Sequence, residues 1–295
     1  MLSVKIKNYI HLHFLVIIAG FTAIIGELIT IEAIPLVWYR MSIAALLMII
    51  YIKIKKVSLR VPLKVIIKFS IAGVIIALHW ITFFAAIKLS NISITLAMFS
   101  TGAFFASLIE PLFFKRKIIG YEIFFGLMVV VGVGLITQTE FKYLMGIILG
   151  ITSALFSTLF AVLNGKFVKN HKPSVISFYE FIFGVVFISI FLVLSGDGFS
   201  LGYFRLSSSD WIYLFILASI CTAYAFIGSI HVMKHVTPYS VVLTYNLEPI
   251  YGIVLALIFF PESEIMNPLF YVGACLIICT VLLNAVFKNI KKPKI

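Results

Sequence analysis

Charge is what this sequence has least of. Asp, Glu, Lys and Arg together make up 12% of its 295 residues, about half the share a soluble globule carries. With 62% hydrophobic residues, that shortage excludes a soluble fold and leaves a polytopic membrane protein. The net charge of +12 would suit nucleic acid, but the basic residues sit in short loops between apolar runs, so no nucleic-acid partner is expected. Cysteine is scarce as well. Cys221, Cys275 and Cys279 all lie inside apolar runs, which indicates neither a disulfide framework nor a zinc site. Cys275 and Cys279, four apart on one helix face, read as small packing residues. No Gly-rich loop followed by Lys and Ser or Thr is present, and no soluble stretch could house one, which excludes ATP-driven transport by this chain alone. No metal-ligand or nucleophile constellation stands out, so no metal and no cofactor is expected.

What is present is a series of apolar runs, each about 20 residues long, the length that crosses a bilayer as a helix. They fall near 11–30, 34–52, 65–87, 92–113, 118–138, 144–165, 174–195, 211–232, 239–260 and 268–287. Lys5 and Lys7 before the first run resemble a signal peptide, but no small-x-small cleavage site follows, and the run reads as a retained span. With the N-terminus inside, 19 of the 23 Lys and Arg collect on one side of the membrane, as cytoplasmic loops require. Glu32, Glu140, Asp197, Asp210, Glu262 and Glu264 fall on the other side. The expectation is ten spans in the cytoplasmic membrane with both termini cytoplasmic. The longest loop, from Gly196 to Asp210, reads as an ordinary solvated turn.

The polar residues inside spans carry the functional reading. Tyr245-Asn246-Leu247-Glu248-Pro249-Ile250-Tyr251-Gly252 sits within the ninth run. An acid in mid-membrane costs on the order of 3 kcal/mol on insertion scales, and Pro249 frees the carbonyl four residues before it and kinks the helix. Such a cluster is tolerated where it faces protein or a water-filled cavity. Glu248 therefore reads in two ways, as a coupling carboxyl or as a hydrogen-bonded acid holding the kink. Arg40 lies close enough to the outer end of its span to snorkel, and Glu27 at similar depth offers it an ion pair; substrate contact is the other reading. Glu180 has no local partner and could form a gate with Lys166 or a packing pair. His79 reads as a hydrogen-bonded core histidine or a proton shuttle. Trp80, Phe83 and Phe84 with Tyr245 and Tyr251 would make an aromatic cavity wall. Gly126, Gly132, Gly134, Gly146 and Gly150 permit close helix approach, within a monomer or across a homodimer.

An internal repeat is also legible. Ile25-Gly26-Glu27, Pro35 and Trp38-Tyr39-Arg40 run parallel to Asn164-Gly165-Lys166, Pro173 and Phe178-Tyr179-Glu180. Ala86-Ile87-Lys88 with Ser93 and Ile94 matches Val232-Met233-Lys234 with Tyr239 and Ser240 at an offset of 146. Five spans per half would set the halves, 1–140 and 141–295, in opposite orientations, the build of many secondary transporters.

Pro35 to Arg40, His79-Trp80 with Phe83, Lys88-Leu89-Ser90-Asn91-Ile92-Ser93, and Leu247-Glu248-Pro249 together resemble the drug/metabolite transporter superfamily, in its ten-span EamA-like branch. Glu262 falls where that family often has an acid at a helix end. The resemblance implies a basket-like, all-α bundle whose cavity is formed chiefly by the first, third, fourth, sixth, eighth and ninth spans. It also implies export or exchange of small metabolites such as amino acids. The chain departs from the pattern in the fourth span, where Thr101-Gly102-Ala103 stands in place of a proline comparable to Pro249, so a symmetric pair of proline-broken helices is not expected. A secondary carrier ranks above a membrane-embedded enzyme acting on lipid or isoprenoid substrates, because such enzymes cluster acids or histidines at one membrane face and here the embedded acids are dispersed.

Overall fold

A computed structural model describes residues 4–290, apart from residues 116, 118, 197 and 246. All regular elements among the described residues are helical. In order they are α1 (Val4–Leu28), α2 (Ala33–Ile54), α3 (Leu63–Leu89), α4 (Ile92–Phe99), α5 (Gly102–Phe114), α6 (Gly120–Thr139), α7 (Leu144–Phe167), α8 (Pro173–Ser195), α9 (Ser208–Ala218), α10 (Ala225–Val232), α11 (Pro238–Tyr245), α12 (Glu248–Phe259), α13 (Pro261–Glu264) and α14 (Pro268–Ile290). A chain this apolar has little polar punctuation, and proline supplies much of it. Pro173, Pro238, Pro261 and Pro268 each open a helix, where the missing N–H would have had no intrahelical partner. α8 stops at Gly196, which takes the left-handed conformation at φ 84° that terminates helices.

Eight helical stretches are long and apolar enough to cross a membrane, counting α4 with α5 and α9 with α10 as one stretch each; Glu248–Phe259 and Pro268–Asn284 are shorter apolar helices. Their outward faces are themselves apolar: Ile123, Phe124, Leu127, Val130 and Val131 of α6 are all exposed, and a belt of that kind marks a surface in contact with lipid. α3 lies at the centre, packed on α7 and α8, while α6 and α14 form a separate tight pair. That pair meets at Gly132 and Gly273. A Cβ on either would come within about 3 Å of the other's carbonyl oxygen, so these two glycines set the interaxial distance. Gly134, one of the glycines expected at a helix contact, faces open space instead.

Both the fourth and ninth spans are broken. The fourth divides into α4 and α5 at Ser100–Thr101, and the ninth into α11 and α12 after Tyr245. The boundaries keep the offset seen in the sequence: Ile92–Phe99 corresponds to Pro238–Tyr245, and Gly102, the first residue of α5, to Glu248, the first of α12. The two halves thus share a broken span, although only the ninth carries a proline at its break. Pro249 does not bend a continuous helix; it stands in the first turn of α12, where its ring is tolerated. Without a proline, the fourth span is interrupted by two hydroxyl residues that bond back to their own chain, Ser100 Oγ to the Leu96 carbonyl and Thr101 Oγ1 to the Met98 carbonyl. Side chains of this kind compete with the helical ladder. α4 packs against α12 and α5 against α11, so the two broken spans run antiparallel.

The ends of the bundle are tied by acids. Glu264, not Glu262, is the structural acid after the ninth span. Its two carboxylate oxygens accept from the backbone N–H groups of Ile92 and Ser93, both at 2.9 Å, at the start of α4, while Glu262 is exposed. Asn91 caps the same helix by accepting from Ile94 N–H at 2.9 Å. Asp210 is likewise buried rather than part of a solvated turn: it closes a capping box with Ser207 and accepts from both the backbone N–H and the hydroxyl of Thr30, at 2.8 Å each.

A cavity between two broken helices

The two helix breaks meet at one cavity of about 140 Å³. Phe99 and Gly102 border it from the fourth span, Tyr245 and Glu248 from the ninth. α1, α3, α7 and the eighth span supply the remaining wall, the six spans implied by the resemblance, and α2 adds Arg40. The first residues of α5 and α12 both border the cavity, so two helix N-termini, with their partial positive charge, are directed at it.

Arg40 is held by the eighth span. Its Nε donates to Thr222 Oγ1 at 2.6 Å and its Nη2 to the Cys221 carbonyl at 3.3 Å. That carbonyl lies in a π-helical segment, Ser219–Tyr224, between α9 and α10; such wide turns displace backbone groups from the regular ladder. Thr222 Oγ1 in turn donates to the Leu217 carbonyl, which leaves its lone pairs facing the guanidinium. Trp80 stacks under the group, with Cζ 4.0 Å from its ring centroid, a cation–π contact strengthened by the absence of water. Arg40 is only 2% exposed, so it does not snorkel. It is not joined to Glu27 either: Glu27 is exposed near Lys88 and Glu264, and Lys88 itself donates to the Ile29 carbonyl at 3.0 Å. One guanidinium nitrogen, Nη1, is buried without a hydrogen-bond partner.

Glu248 is 5% exposed. Among the described residues no side chain bonds to its carboxylate, and Arg40 is the charged group within electrostatic reach. Tyr245 bonds through its hydroxyl to Ser229. His79 borders the cavity while tying α3 to α7: its Nδ1 lies 3.0 Å from the Ser153 carbonyl and 2.9 Å from Ser153 Oγ. Because a carbonyl only accepts and Ser153 Oγ donates to the His79 carbonyl, Nδ1 carries the proton in the neutral ring. Trp80 and Phe83 line the cavity as expected of an aromatic wall. Phe84 lies instead behind Arg40, 5.5 Å from its Cζ.

Tyr251, Glu180 and Lys166 lie elsewhere. Tyr251 is on the outward face of α12, packed beside Gly20 of α1. Glu180 is fully buried and bonded to Asn164, whereas Lys166 is exposed over the rings of Phe113 and Phe114, so the two make no gate. Asn246 lies outside the described residues. Sequence reasoning missed Phe99, Phe160 and Phe226 as wall residues, and Thr222 and Cys221 as the seat of Arg40. The one signal for that seat was a small polar trio, Ser219, Cys221 and Thr222, inside an otherwise apolar run.

A multi-pass membrane protein with a charged cavity where two interrupted helices meet is the class these features define. The sequence model of the EamA-like transporter family matches residues 8–138 and, a second time, residues 144–286, and the chain belongs to that family. It is therefore a membrane transporter of the drug/metabolite type. No curated protein matches the chain. A solved structure described only as "Crystal structure of protein" is similar in fold, with a TM-score of 0.70 over 96% of this chain and 98% of its own at 14% identity.

Proposed function

We propose that this transporter is a secondary carrier that moves a small zwitterionic metabolite, an amino acid or a related compound, by alternating access between two inverted five-span halves. The observation that carries the reading is the presence of two charged groups at one cavity: Arg40 with an unpartnered guanidinium nitrogen, and Glu248, to which no side chain among the described residues bonds. Buried charges need counter-charges. A zwitterion supplies both, its carboxylate to Arg40 and the two helix N-termini and its ammonium to Glu248. The remaining wall, Ile76, Trp80, Phe83 and Phe226, suits an apolar or aromatic side group. The antiparallel course of the two broken spans supports inverted halves, with limits near 1–140 and 141–295, because corresponding segments of like-oriented halves would run parallel. Export or exchange across the cytoplasmic membrane, coupled to protons through Glu248, completes the proposal.

Purified protein in liposomes is expected to move a labelled amino acid, and a screen that adds nucleosides and drugs identifies the substrate. Glu248→Gln keeps the shape of the cavity and removes its exchangeable proton, so its transport is expected to become independent of a pH gradient. Unchanged pH dependence in that variant would remove Glu248 from coupling. Topology has its own check. Single cysteines at Lys56 and Lys172 are expected to react with an impermeant thiol reagent only from the cytoplasmic side, and cysteines at Glu262 and Glu32 only from the opposite side. Labelling of all four from one side would sink the ten-span arrangement.

A further inference from the structure

Away from the cavity, Glu180 of α8 and Asn164 of α7 form a buried polar pair, each at 0% exposure. Asn164 Nδ2 donates to Glu180 Oε1 at 2.9 Å and to the Phe160 carbonyl of its own helix at 3.2 Å. The other oxygen of each group, Glu180 Oε2 and Asn164 Oδ1, is buried with no partner. Two orphaned oxygens on adjacent side chains are hard to explain for an ionised carboxylate, which would need donors on both.

Among the described residues, nothing nearby supplies a counter-charge. On α7, Lys166 is exposed over Phe113 and Phe114. On α3, Lys64 and Lys68 are exposed, His79 is bonded to Ser153 and Lys88 to Ile29. On α2, Arg40 is held by Thr222 and Cys221, Lys53 is exposed, and Tyr39 donates to the Phe204 carbonyl. On α10, His231 is exposed. On α8 itself, Tyr179 donates to the Leu59 carbonyl. A lone carboxylate with one neutral donor is strongly disfavoured in such surroundings.

A neutral carboxylic acid and a primary amide satisfy each other through two bonds, amide N–H to acid C=O and acid O–H to amide C=O. The first bond is present, and the two orphaned oxygens are the atoms that the second would join. We propose that Glu180 and Asn164 are a proton-binding site, with the proton held between Glu180 Oε2 and Asn164 Oδ1, and that its occupancy ties α7 to α8. In the repeat, Glu180 stands where Arg40 stands in the first half. One half thus places a cation at the cavity and the other places a proton site outside it. Release of the proton requires water or a counter-charge to reach the pair, beside which α3 packs on both α7 and α8.

The test compares infrared spectra of the purified full chain in lipid nanodiscs, wild type against Glu180→Gln, at neutral pH. The expected difference is the loss of one protonated-carboxyl C=O band with no loss of ionised-carboxylate absorption. Loss of an ionised-carboxylate band instead overturns the proposal. Glutamine presents an N–H where the acid presents its O–H, so the variant is expected to keep the wild-type unfolding temperature at neutral pH. A variant that fails to fold, or that unfolds well below wild type, also overturns it, because the site would then depend on charge and not on a proton.

Discussion

Arg40→Ala is expected to reduce transport of the proposed zwitterionic substrate in liposomes roughly a hundredfold or more while the protein still folds. Truncating one partner of a buried charge pair costs about 3 kcal/mol, and each 1.4 kcal/mol is about tenfold in binding. The loss falls on the carboxylate of the proposed substrate, whose counter-charge disappears, and on Glu248, which loses the one cation within electrostatic reach among the described residues. Folding is less exposed. Thr222 Oγ1 retains its bond to the Leu217 carbonyl, and only the Cys221 carbonyl is left without its donor. Arg40→Lys separates charge from shape. Lysine restores the cation but cannot reach Thr222 and Cys221 together while stacking on Trp80 as the planar guanidinium does, so partial transport with weakened substrate affinity is expected. Wild-type rates for Arg40→Ala would place the substrate elsewhere. Cys275→Ala, on the exposed face of α14, serves as the control and is expected to transport normally.

The bundle was legible because its signals are cumulative. Twenty apolar residues in a row mean a spanning helix whatever their order, and prolines show where such helices begin. Glu248, Tyr245 and Trp80 were read as facing a cavity, and they border one, because polar or aromatic groups inside an apolar run have few other places to go; for Arg40 and His79, which border it too, the sequence left a snorkelling or core role open beside a functional one. Pairing was not legible, since it depends on which faces of distant spans meet. Glu27 and Arg40 sit at similar depths on consecutive spans, yet Arg40 turns to a π-helical segment some 180 residues away in sequence, and no local pattern announces that geometry. Glu180 offered Lys166 as the near cation, whereas its partner is Asn164, two residues earlier on the same helix. The break in the fourth span escaped because proline was taken as its mark. Ser100 and Thr101 reach the same result through side-chain hydrogen bonds, a signal too common in membrane helices to stand out alone. The repeat offset of 146 held the missing information: a break after Tyr245 requires one after Phe99 if the halves share a fold.

Gly73→Ala is expected to destabilise the protein by about 1–3 kcal/mol, the cost of forcing extra volume into a packed contact, read as a lower unfolding temperature in detergent or nanodiscs. The physical reason is the nature of the obstacle. A Cβ built on Gly73 would lie 2.5 Å from the carbonyl oxygen of Glu180 and 3.1 Å from its Cα. A flexible side chain could rotate away, but here the obstacle is backbone, so α3 and α8 must separate. The adjoining contact moves with them, because a Cβ on Gly184 would lie 3.1 Å from the Gly73 carbonyl oxygen, so the two helices cross with glycine on both sides. Gly134→Ala is the counterpart. It lies in a helix interior with nothing within 4 Å of the added atom, and alanine is favoured over glycine there by about 1 kcal/mol, so that variant is expected to be neutral or more stable. Equal unfolding temperatures for the two variants would mean that the α3–α8 crossing yields to an added methyl group. A selective loss in Gly73→Ala establishes the α3–α8 crossing as rigid, with the backbone of Glu180 fixed against α3.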